Sequence, residues 1–219
     1  MCVHVESTWD EQWHQCFCSD CHAVKQDDNY YTRGEPPKEY GIPVGWYRSG
    51  IQVVERVKPR FSKWHRGFHG TRADRVAKIL DIGELVMPGD TIRGGDKIAE
   101  RPEHFDEDWK PEGFNTRQIF VSPSIRYAGH HSYATPTKYV DEEESKTVYN
   151  SQVAFQVLIA PGSYEVGKAT VEEDHCFDPR FSNQEIEWAT EQRGSIVLYG
   201  LLVKLEESKE QRQISNQTA

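Results

Sequence analysis

Apolar and polar positions alternate in several stretches of the chain, and this pattern predicts strands. The stretches are rich in β-branched and aromatic residues: GWYRSGIQVVERV at 45–57, WHRGFHGT at 64–71, SQVAFQVLIAPGSYEV at 151–166, EIEWAT at 185–190 and SIVLYGLLVKL at 195–205. Few of these strands are separated by a helical pattern, so strand–helix–strand units are scarce. The sequence therefore predicts an α+β fold with mostly antiparallel pairing and flanking helices.

A helical period of 3.6 residues is clear in one stretch, TRADRVAKILDIG at 71–83. One apolar stripe of this helix is formed by Val76, Ile79 and Leu80. We expect Thr71 to cap the helix and Gly83 to follow its last turn, since these residue types are favoured at those positions.

A shorter helix is predicted in SPSIRYAGHHSYA at 122–134. Ser122 is expected to cap it, because Pro123 then occupies the first helical position, where a missing N–H costs nothing. His130 and His131 are expected to lie on the surface of this helix rather than to bind a metal, since neighbouring helical residues point in different directions.

The polarity of the chain changes along its length, and this predicts three segments. Residues 1–44 are polar and rich in turn formers, which indicates an N-terminal extension that contains Cys and His. Residues 45–206 contain the predicted strands and helices and form the main domain. Residues 207–219 have few apolar side chains, so we expect a flexible tail.

The charge and hydropathy of the chain exclude several classes of protein. A formal net charge of -9 over 219 residues argues against coating nucleic acid or an anionic membrane through bulk charge. No stretch approaches the roughly 20 apolar residues that a bilayer span needs. The start, MCVHVESTWDEQWHQ, has neither a basic nor an apolar leader segment. We therefore expect an intracellular protein, cytoplasmic or nuclear, without a membrane partner.

The N-terminal extension contains a cluster of potential metal ligands, HQCFCSDCH. Three of the five cysteines fall within six residues, an odd and clustered set that makes a poor disulfide framework. Thiolate and imidazole ligands at short spacing suit tetrahedral zinc. The candidate ligands are Cys16, Cys18, Cys21 and His22. His14 is a further local candidate, and His175 with Cys176 is a distant pair; a cluster of reduced thiols is the alternative to a metal site.

The triplet His69, Gly70 and Thr71 stands where a predicted strand runs into the predicted helix. His69 then lies at the strand end, Gly70 permits a ligand to approach the backbone, and Thr71 lies beside a helix N-terminus. Such a cradle suits a ligand, although on its own the same triplet is also typical of a simple turn with a hydrogen-bonded imidazole.

Two more segments follow the triplet in order: QIFVSPSIRYAGHHSYA at 118–134 and NQEIEWAT at 183–190. Together with FHGTRADRVAKILDIGELVMPGD, they resemble the ADP-ribosyltransferase superfamily, in the branch of the poly(ADP-ribose) polymerases and diphtheria toxin. The CFC..CH cluster, the GEPP..Y..P.GW-type segment and the GLLV ending also resemble the C-terminal region of neuralized-like proteins, over nearly the whole chain. The resemblance implies a split antiparallel β-sheet core that binds and cleaves NAD.

The resemblance assigns NAD-binding roles to the triplet. It implies that His69 hydrogen-bonds the adenosine ribose and belongs to the catalytic set, and that the backbone of Gly70 holds the nicotinamide carboxamide. Thr71 would touch the ribose or the phosphates. Ser122 lies in the same implied pocket, and it and Ser124 suit helix capping better than catalysis.

The resemblance also assigns the aromatic walls of the pocket. Tyr127 and Tyr133 correspond to the rings between which nicotinamide stacks. The family's tyrosine in the preceding strand falls near Ile119 or Phe120, so the sequence departs from the family there. Phe120 would take the stacking role without a hydroxyl group.

A late-strand glutamate is the central catalytic residue that the resemblance implies. Breaking the nicotinamide bond builds positive charge on the ribose carbon, and a carboxylate stabilises that charge. Glu185 and Glu187 are expected to share one face of a strand. The family's Glu-X-Glu pattern favours Glu187 as the catalyst and Glu185 as the residue that faces the acceptor, while another alignment puts Gln184 at the catalytic position.

The implied function is that of a mono-ADP-ribosyltransferase, which cleaves NAD and transfers ADP-ribose to a protein or to nucleic acid, including guanine in DNA. The basic, aromatic stretch ERVKPRFSKWHRGFHGTRADRVAK at 55–78 would bind the NAD pyrophosphate or an acceptor nucleic acid. The alternative is a zinc-stapled interaction module whose NAD pocket is inactive. The sequence indicates neither the acceptor nor the oligomeric state.

Overall fold

The computed structural model of the protein describes residues 8–26, 28–92, 95, 97–98, 115, 117–142, 147–172 and 174–208. The described fold is α+β with few helices and mostly antiparallel sheets, which confirms the predicted class. None of the helices in these ranges is long and apolar enough to cross a membrane.

The largest sheet has the strand order β1-β4-β11-β8-β5, and β7 also pairs with β8. Its strands are β1 (Gln15–Cys16), β4 (Tyr47–Gly50), β5 (His65–Thr71), β7 (Thr137–Val140), β8 (Val148–Ile159) and β11 (Ile196–Glu207). β8 and β11 pair along almost their whole length, with one irregularity between Leu198 and Gly200. These two strands are the most apolar of the predicted set, and they form the centre of the sheet.

Two smaller sheets complete the fold. One has the order β6-β10-β9, formed by β6 (Ile119–Val121), β9 (Glu165–Gly167) and β10 (Glu187–Thr190). The other is the hairpin of β2 (Tyr30–Arg33) and β3 (Lys38–Gly41). All of these pairings are antiparallel.

The helices are short and lie between strands. They are α1 (Ser19–Lys25), α2 (Arg60–Lys63), α3 (Val76–Ile82) and α4 (Ile125–Ala128). A 3₁₀ turn, Ala73–Arg75, precedes α3, and Gly83 ends α3 in the left-handed conformation that was predicted.

Two predicted helix caps are wrong. Thr71 is the last residue of β5, and α3 begins five residues later without a side-chain cap. Ser124 caps α4, because its side chain accepts a hydrogen bond from Arg126 N–H, while Ser122 Oγ accepts from Ser124 N–H one step earlier. In both places the helix begins later than the pattern indicated: the 3₁₀ turn precedes α3, and α4 starts at Ile125.

The hydrophobic core forms on both faces of the large sheet. One cluster packs Val121 and Trp188 of the small sheet against Phe155 of β8, with α3 covering it. A second cluster on the other face contains Phe68, Trp46 and residues of α4. Trp188 is 2% exposed, and its burial stabilises the packing of the small sheet against the large one.

The predicted N-terminal extension is joined to the rest of the fold. β1 pairs with β4, and Phe17 and Tyr40 are buried. The predicted tail begins inside β11, which ends at Glu207. From residue 209 onward, that tail lies outside the described residues.

Candidate active site

The large and the small sheet meet where β5 lies beside β6. Phe68 N–H donates to Ser122 O at 2.8 Å, and Ser122 N–H donates to Phe68 O at 2.9 Å. This isolated bridge is the whole ladder between β5 and β6 in the described part of the chain. Because backbone directions alternate along a strand, the N–H and C=O of Gly70 point to the same edge as those of Phe68. Among the described residues they have no backbone partner there, so the edge of β5 is open at Gly70.

His69 spans the gap that opens between these two strands. Its Nδ1 lies 2.8 Å from the carbonyl oxygen of Phe120 in β6. A carbonyl only accepts hydrogen bonds, so Nδ1 carries a proton, and in the neutral ring Nε2 is then the acceptor nitrogen. The predicted ribose-binding histidine therefore lies at the split between the sheets with a defined tautomer.

Gly70 contacts the segment that follows α4. A Cβ atom built on Gly70 would overlap the carbonyl oxygen of Ala128 and lie 2.9 Å from Cβ of Tyr133. Protein packing, rather than ligand approach alone, thus requires glycine at this position. The side chains of His69 and Thr71 leave β5 on the opposite face from this contact, since side chains alternate along a strand.

Glu187, the predicted catalyst, is the first residue of β10 and is 5% exposed. Its Oε2 accepts hydrogen bonds from Tyr127 Oη at 2.8 Å, from Thr170 Oγ1 at 3.0 Å and from Tyr133 Oη at 3.3 Å. We call these four residues the carboxylate cluster. Three hydroxyl donors therefore converge on one carboxylate oxygen.

The hydroxyl oxygens of the carboxylate cluster also lie within hydrogen-bond distance of one another. Each hydroxyl has one proton, which it donates either to Glu187 or to a neighbouring hydroxyl. Tyr127 Oη lies 2.7 Å from Tyr133 Oη, and Tyr133 Oη lies 2.9 Å from Thr170 Oγ1. Thr170 N–H donates to Tyr127 Oη at 2.9 Å. These contacts fix the position of Glu187 through side chains from three other segments of the chain.

Burial governs the electrostatics of this cluster. It raises the pKa of Glu187 above the usual range of a glutamate, and the three hydroxyl donors oppose that rise because they favour the charged form. Burial also raises the pKa of Tyr127 and of Tyr133, and the nearby Glu187 carboxylate adds to both shifts. The tyrosines therefore stay protonated and remain donors at neutral pH.

Local packing explains why the cluster forms where it does. Ile186 and Trp188, on either side of Glu187, are fully or almost fully buried. The ring of Tyr127 is 2% exposed and meets Phe177 edge-on, with 4.9 Å between centroids. Tyr127 is thus enclosed by protein and offers no open ring face, contrary to its predicted role as a stacking wall. Tyr133 and Phe120 are the half-buried rings of the predicted set.

Thr170 is the residue of this cluster that the sequence did not predict. It lies between β9 and β10, in the stretch KATVEE, which has no strong pattern of secondary structure or motif. A single threonine in such a loop gives no signal, because its role depends on two tyrosines about 40 residues earlier and a glutamate 17 residues later.

Glu185 does not share a strand face with Glu187. It is exposed and lies in the turn before β10, where its N–H donates to Ser182 O at 2.9 Å. The prediction of two carboxylates on one strand face is therefore wrong, because the strand begins only at Glu187. Gln184 lies in the same exposed turn, so Glu187 is the buried member of this set.

The predicted metal ligands form a compact group in the N-terminal segment. The sulfur atoms of Cys16, Cys18 and Cys21 lie within 4.8 Å of one another, so this cysteine cluster could hold a metal ion. Cys18 caps α1, and its sulfur accepts from Cys21 N–H at 3.5 Å. That hydrogen bond lowers the pKa of Cys18, whereas the Cys18 side chain raises the pKa of Cys21 to about 11.

The fourth predicted ligand, His22, is not part of the group of close sulfur atoms. Its Nε2 contacts Asn29 Oδ1 at 3.0 Å, while its Nδ1 is buried and has no hydrogen-bond partner among the described residues. His14 has a similar buried nitrogen, Nε2, and its Nδ1 lies 3.3 Å from Tyr47 Oη. Each histidine therefore presents one unsatisfied ring nitrogen.

No protein-family model matches the chain.

Proposed function

We propose that the protein is an NAD-dependent mono-ADP-ribosyltransferase that transfers ADP-ribose to a macromolecular acceptor. One observation carries the proposal: Glu187 is buried and held by three hydroxyl groups, one of which belongs to Tyr133, a neighbour of Gly70 at the open edge of β5. Tyr133 links the two features, because its Cβ packs on Gly70 and its hydroxyl bonds to Glu187. The split between β5 and β6 supports the split-sheet architecture that the sequence resemblance implies.

The open edge suits the nicotinamide end of NAD. A carboxamide has one acceptor and one donor group, and it complements the N–H and C=O of Gly70. The acceptor nitrogen of His69 suits a ribose hydroxyl. In this proposal Tyr127 and Thr170 position Glu187, and the half-buried rings of Tyr133 and Phe120 contact the ligand.

The chemistry follows from the charge of Glu187. The bond between the ribose carbon and nicotinamide breaks, nicotinamide leaves with the bonding electron pair, and positive charge develops on the ribose. The Glu187 carboxylate stabilises that charge, and a preorganised charge in a buried site is more effective than one in water. The acceptor nucleophile then bonds to the ribose carbon and releases its proton to solvent.

The acceptor class is tested by incubating the full chain with NAD labelled in its adenylate part, and with separate pools of protein, DNA and RNA. We expect nicotinamide release together with label transfer to one of the pools. NAD binding without release in the presence of any pool would contradict the proposed activity. It would favour an interaction module with an inactive pocket.

We also propose that the cysteine cluster binds zinc, with a histidine as its fourth ligand. If Nε2–H of His22 donates to Asn29 Oδ1, the lone pair of the buried Nδ1 is free to bind a metal, and Asn29 orients the ring. His14 is the competing ligand. Zinc analysis of His22→Ala and His14→Ala distinguishes them, since the true ligand's removal should weaken zinc binding about 10-fold or more.

A further inference from the structure

A second group of potential metal ligands lies beside the carboxylate cluster. His130 and His131 follow α4, and Glu172 lies in the segment between β9 and β10. One ligand atom from each of the three residues lies within 4.8 Å of the other two. The sequence predicted that the two histidines would not converge, but α4 ends at Ala128 and both histidines lie beyond the helix. Their rings are 4.1 Å apart between centroids.

We infer that His130, His131 and Glu172 form a binding site for a divalent metal ion of the zinc class. Nε2 of His130 and Oε1 of Glu172 are 3.4 Å apart. Two ligands of a tetrahedral zinc ion, each about 2.0–2.1 Å from the metal, are about 3.3 Å apart. The existing separation therefore fits one edge of a zinc coordination tetrahedron.

The state of the side chains also suits metal binding. A metal ion binds the neutral form of an imidazole ring, and the largely buried His130 has its Nε2 beside Oε1 of Glu172. Ser132 N–H contacts Nδ1 of His130 at a long 3.4 Å. When Nε2 binds a metal, Nδ1 carries the ring proton and this contact is given up.

The backbone at Glu172 is unusual for its residue type. Glu172 has a φ of 42°, and the other non-glycine residue with positive φ in the described ranges is Gln26, which ends helix α1. Glu172 ends no helix, yet its carboxylate reaches the two histidines. The left-handed conformation thus occurs at the residue that supplies the carboxylate of the group.

A metal ion at this site would also affect the carboxylate cluster, because of where the three ligands lie. A metal ion would join the turn that contains Tyr133 to the segment that contains Thr170, and both of these residues bond to Glu187. Three protein donors leave a fourth coordination position for water or an external ligand. The site differs from the cysteine cluster in its donors, which are nitrogen and oxygen rather than sulfur.

The test is calorimetric titration of zinc chloride into the metal-free full chain and its variants. His131→Ala and Glu172→Gln change exposed side chains, and the control Glu165→Gln changes an exposed carboxylate of β9. We expect each of the two variants to bind about one zinc fewer than the wild type, or to bind it about 10-fold or more weakly. The control should behave as the wild type.

A second variant separates this site from the cysteine cluster. Cys18→Ser should lose zinc at the thiolate cluster and keep the zinc that His131→Ala loses. Thermal unfolding of the metal-free proteins shows whether each variant is folded, and the two variants at exposed positions should unfold at the wild-type temperature. Equal zinc stoichiometry and affinity in the wild type, His131→Ala and Glu172→Gln would overturn the inference.

Discussion

The carboxylate cluster and the cysteine cluster both bring several polar side chains together, but the polar atoms of the two clusters differ in whether they have partners. In the carboxylate cluster, the donors on Tyr127, Tyr133 and Thr170 all point at one oxygen of a buried carboxylate. In the cysteine cluster, three thiols face one another, and two neighbouring histidines each keep a buried nitrogen without a partner. The first is completed by the chain itself, whereas the second, in our proposal, is completed by a zinc ion. The comparison predicts that zinc stabilises the cysteine cluster and leaves the hydrogen bonds of the carboxylate cluster unchanged.

The largest effect on stability is expected at the cysteine cluster. Cys18→Ser should lower the unfolding temperature of zinc-loaded protein by about 5 °C or more, because a structural zinc contributes several kcal/mol and about 2–4 °C corresponds to 1 kcal/mol in a domain of this size. Differential scanning calorimetry measures this. Cys176→Ser changes an exposed cysteine outside the cluster and should leave the temperature unchanged. An identical unfolding temperature with and without zinc would contradict the proposal.

The next effect concerns ligand binding at the open edge of β5. His69→Ala should weaken NAD binding by about 1–3 kcal/mol, because a buried hydrogen bond to the ribose is lost. Calorimetric titration with NAD measures the change. His175→Ala, at an exposed histidine, is the matched control and should bind NAD as the wild type does. If His69→Ala bound NAD with unchanged affinity, the NAD site would not lie at this edge.

A smaller effect is expected within the carboxylate cluster. Thr170→Val removes one hydroxyl donor to Glu187 and should cost about 1 kcal/mol of folding stability, the typical contribution of a hydrogen bond. It should also lower nicotinamide release, since Glu187 is held less firmly. Thr170→Ser keeps the hydroxyl and should restore both. Chemical denaturation measures the folding stability, and an assay of nicotinamide release measures the activity. If Thr170→Val released nicotinamide at the wild-type rate, Thr170 would have only a structural role.

The smallest effect is a difference in pH dependence between the two regions. The pKa of Glu187 is raised in the folded protein above its unfolded value of about 4.3, so the folded state holds the proton more tightly. This group's contribution to stability is present below about pH 4.3 and falls as pH rises through the raised pKa. In Glu187→Gln, folding stability should not show this fall with rising pH. The stability that zinc contributes at the cysteine cluster changes with pH in the opposite direction. Thiolates bind the metal, so this stability should be lost as pH falls and the thiols become protonated. Denaturation series from pH 4 to 8 with zinc and with chelator separate the two. A wild-type protein and Glu187→Gln with parallel pH profiles would contradict the burial of a titrating Glu187.

The same comparison explains how much the sequence could predict. The three thiols of the cysteine cluster lie within six residues, so their close approach could be predicted from spacing, whereas His22 is not part of that group. The α+β class followed from the apolar pattern of β8 and β11. The roles within the carboxylate cluster could not be predicted in this way, because its members come from four separate segments. A resemblance to a known family pointed to Glu187 and the tyrosines, but not to Thr170.

The errors in the sequence interpretation share a physical cause. Thr71 and Glu185 both lie at junctions between elements: a 3₁₀ turn separates Thr71 from α3, and β10 begins only at Glu187. The convergence of His130 and His131 depends on α4 ending at Ala128, where the chain lies against Gly70 and Trp46. The central strands and helix α3 were therefore predicted, whereas β1, α1, β2 and β3 and the ends of elements, where the chemistry lies, were not.

The most direct test of the proposed function is the rate of nicotinamide release from NAD by the wild type, Glu187→Gln and Glu185→Gln. The amide of Glu187→Gln keeps the shape of the side chain but not its charge, so release should fall by about 10²-fold or more while NAD affinity is nearly unchanged. Glu185→Gln, which changes an exposed residue, should keep release and lower only transfer to the acceptor. Undiminished release by Glu187→Gln, or loss of release in Glu185→Gln alone, would contradict the assignment of Glu187 as the catalytic residue.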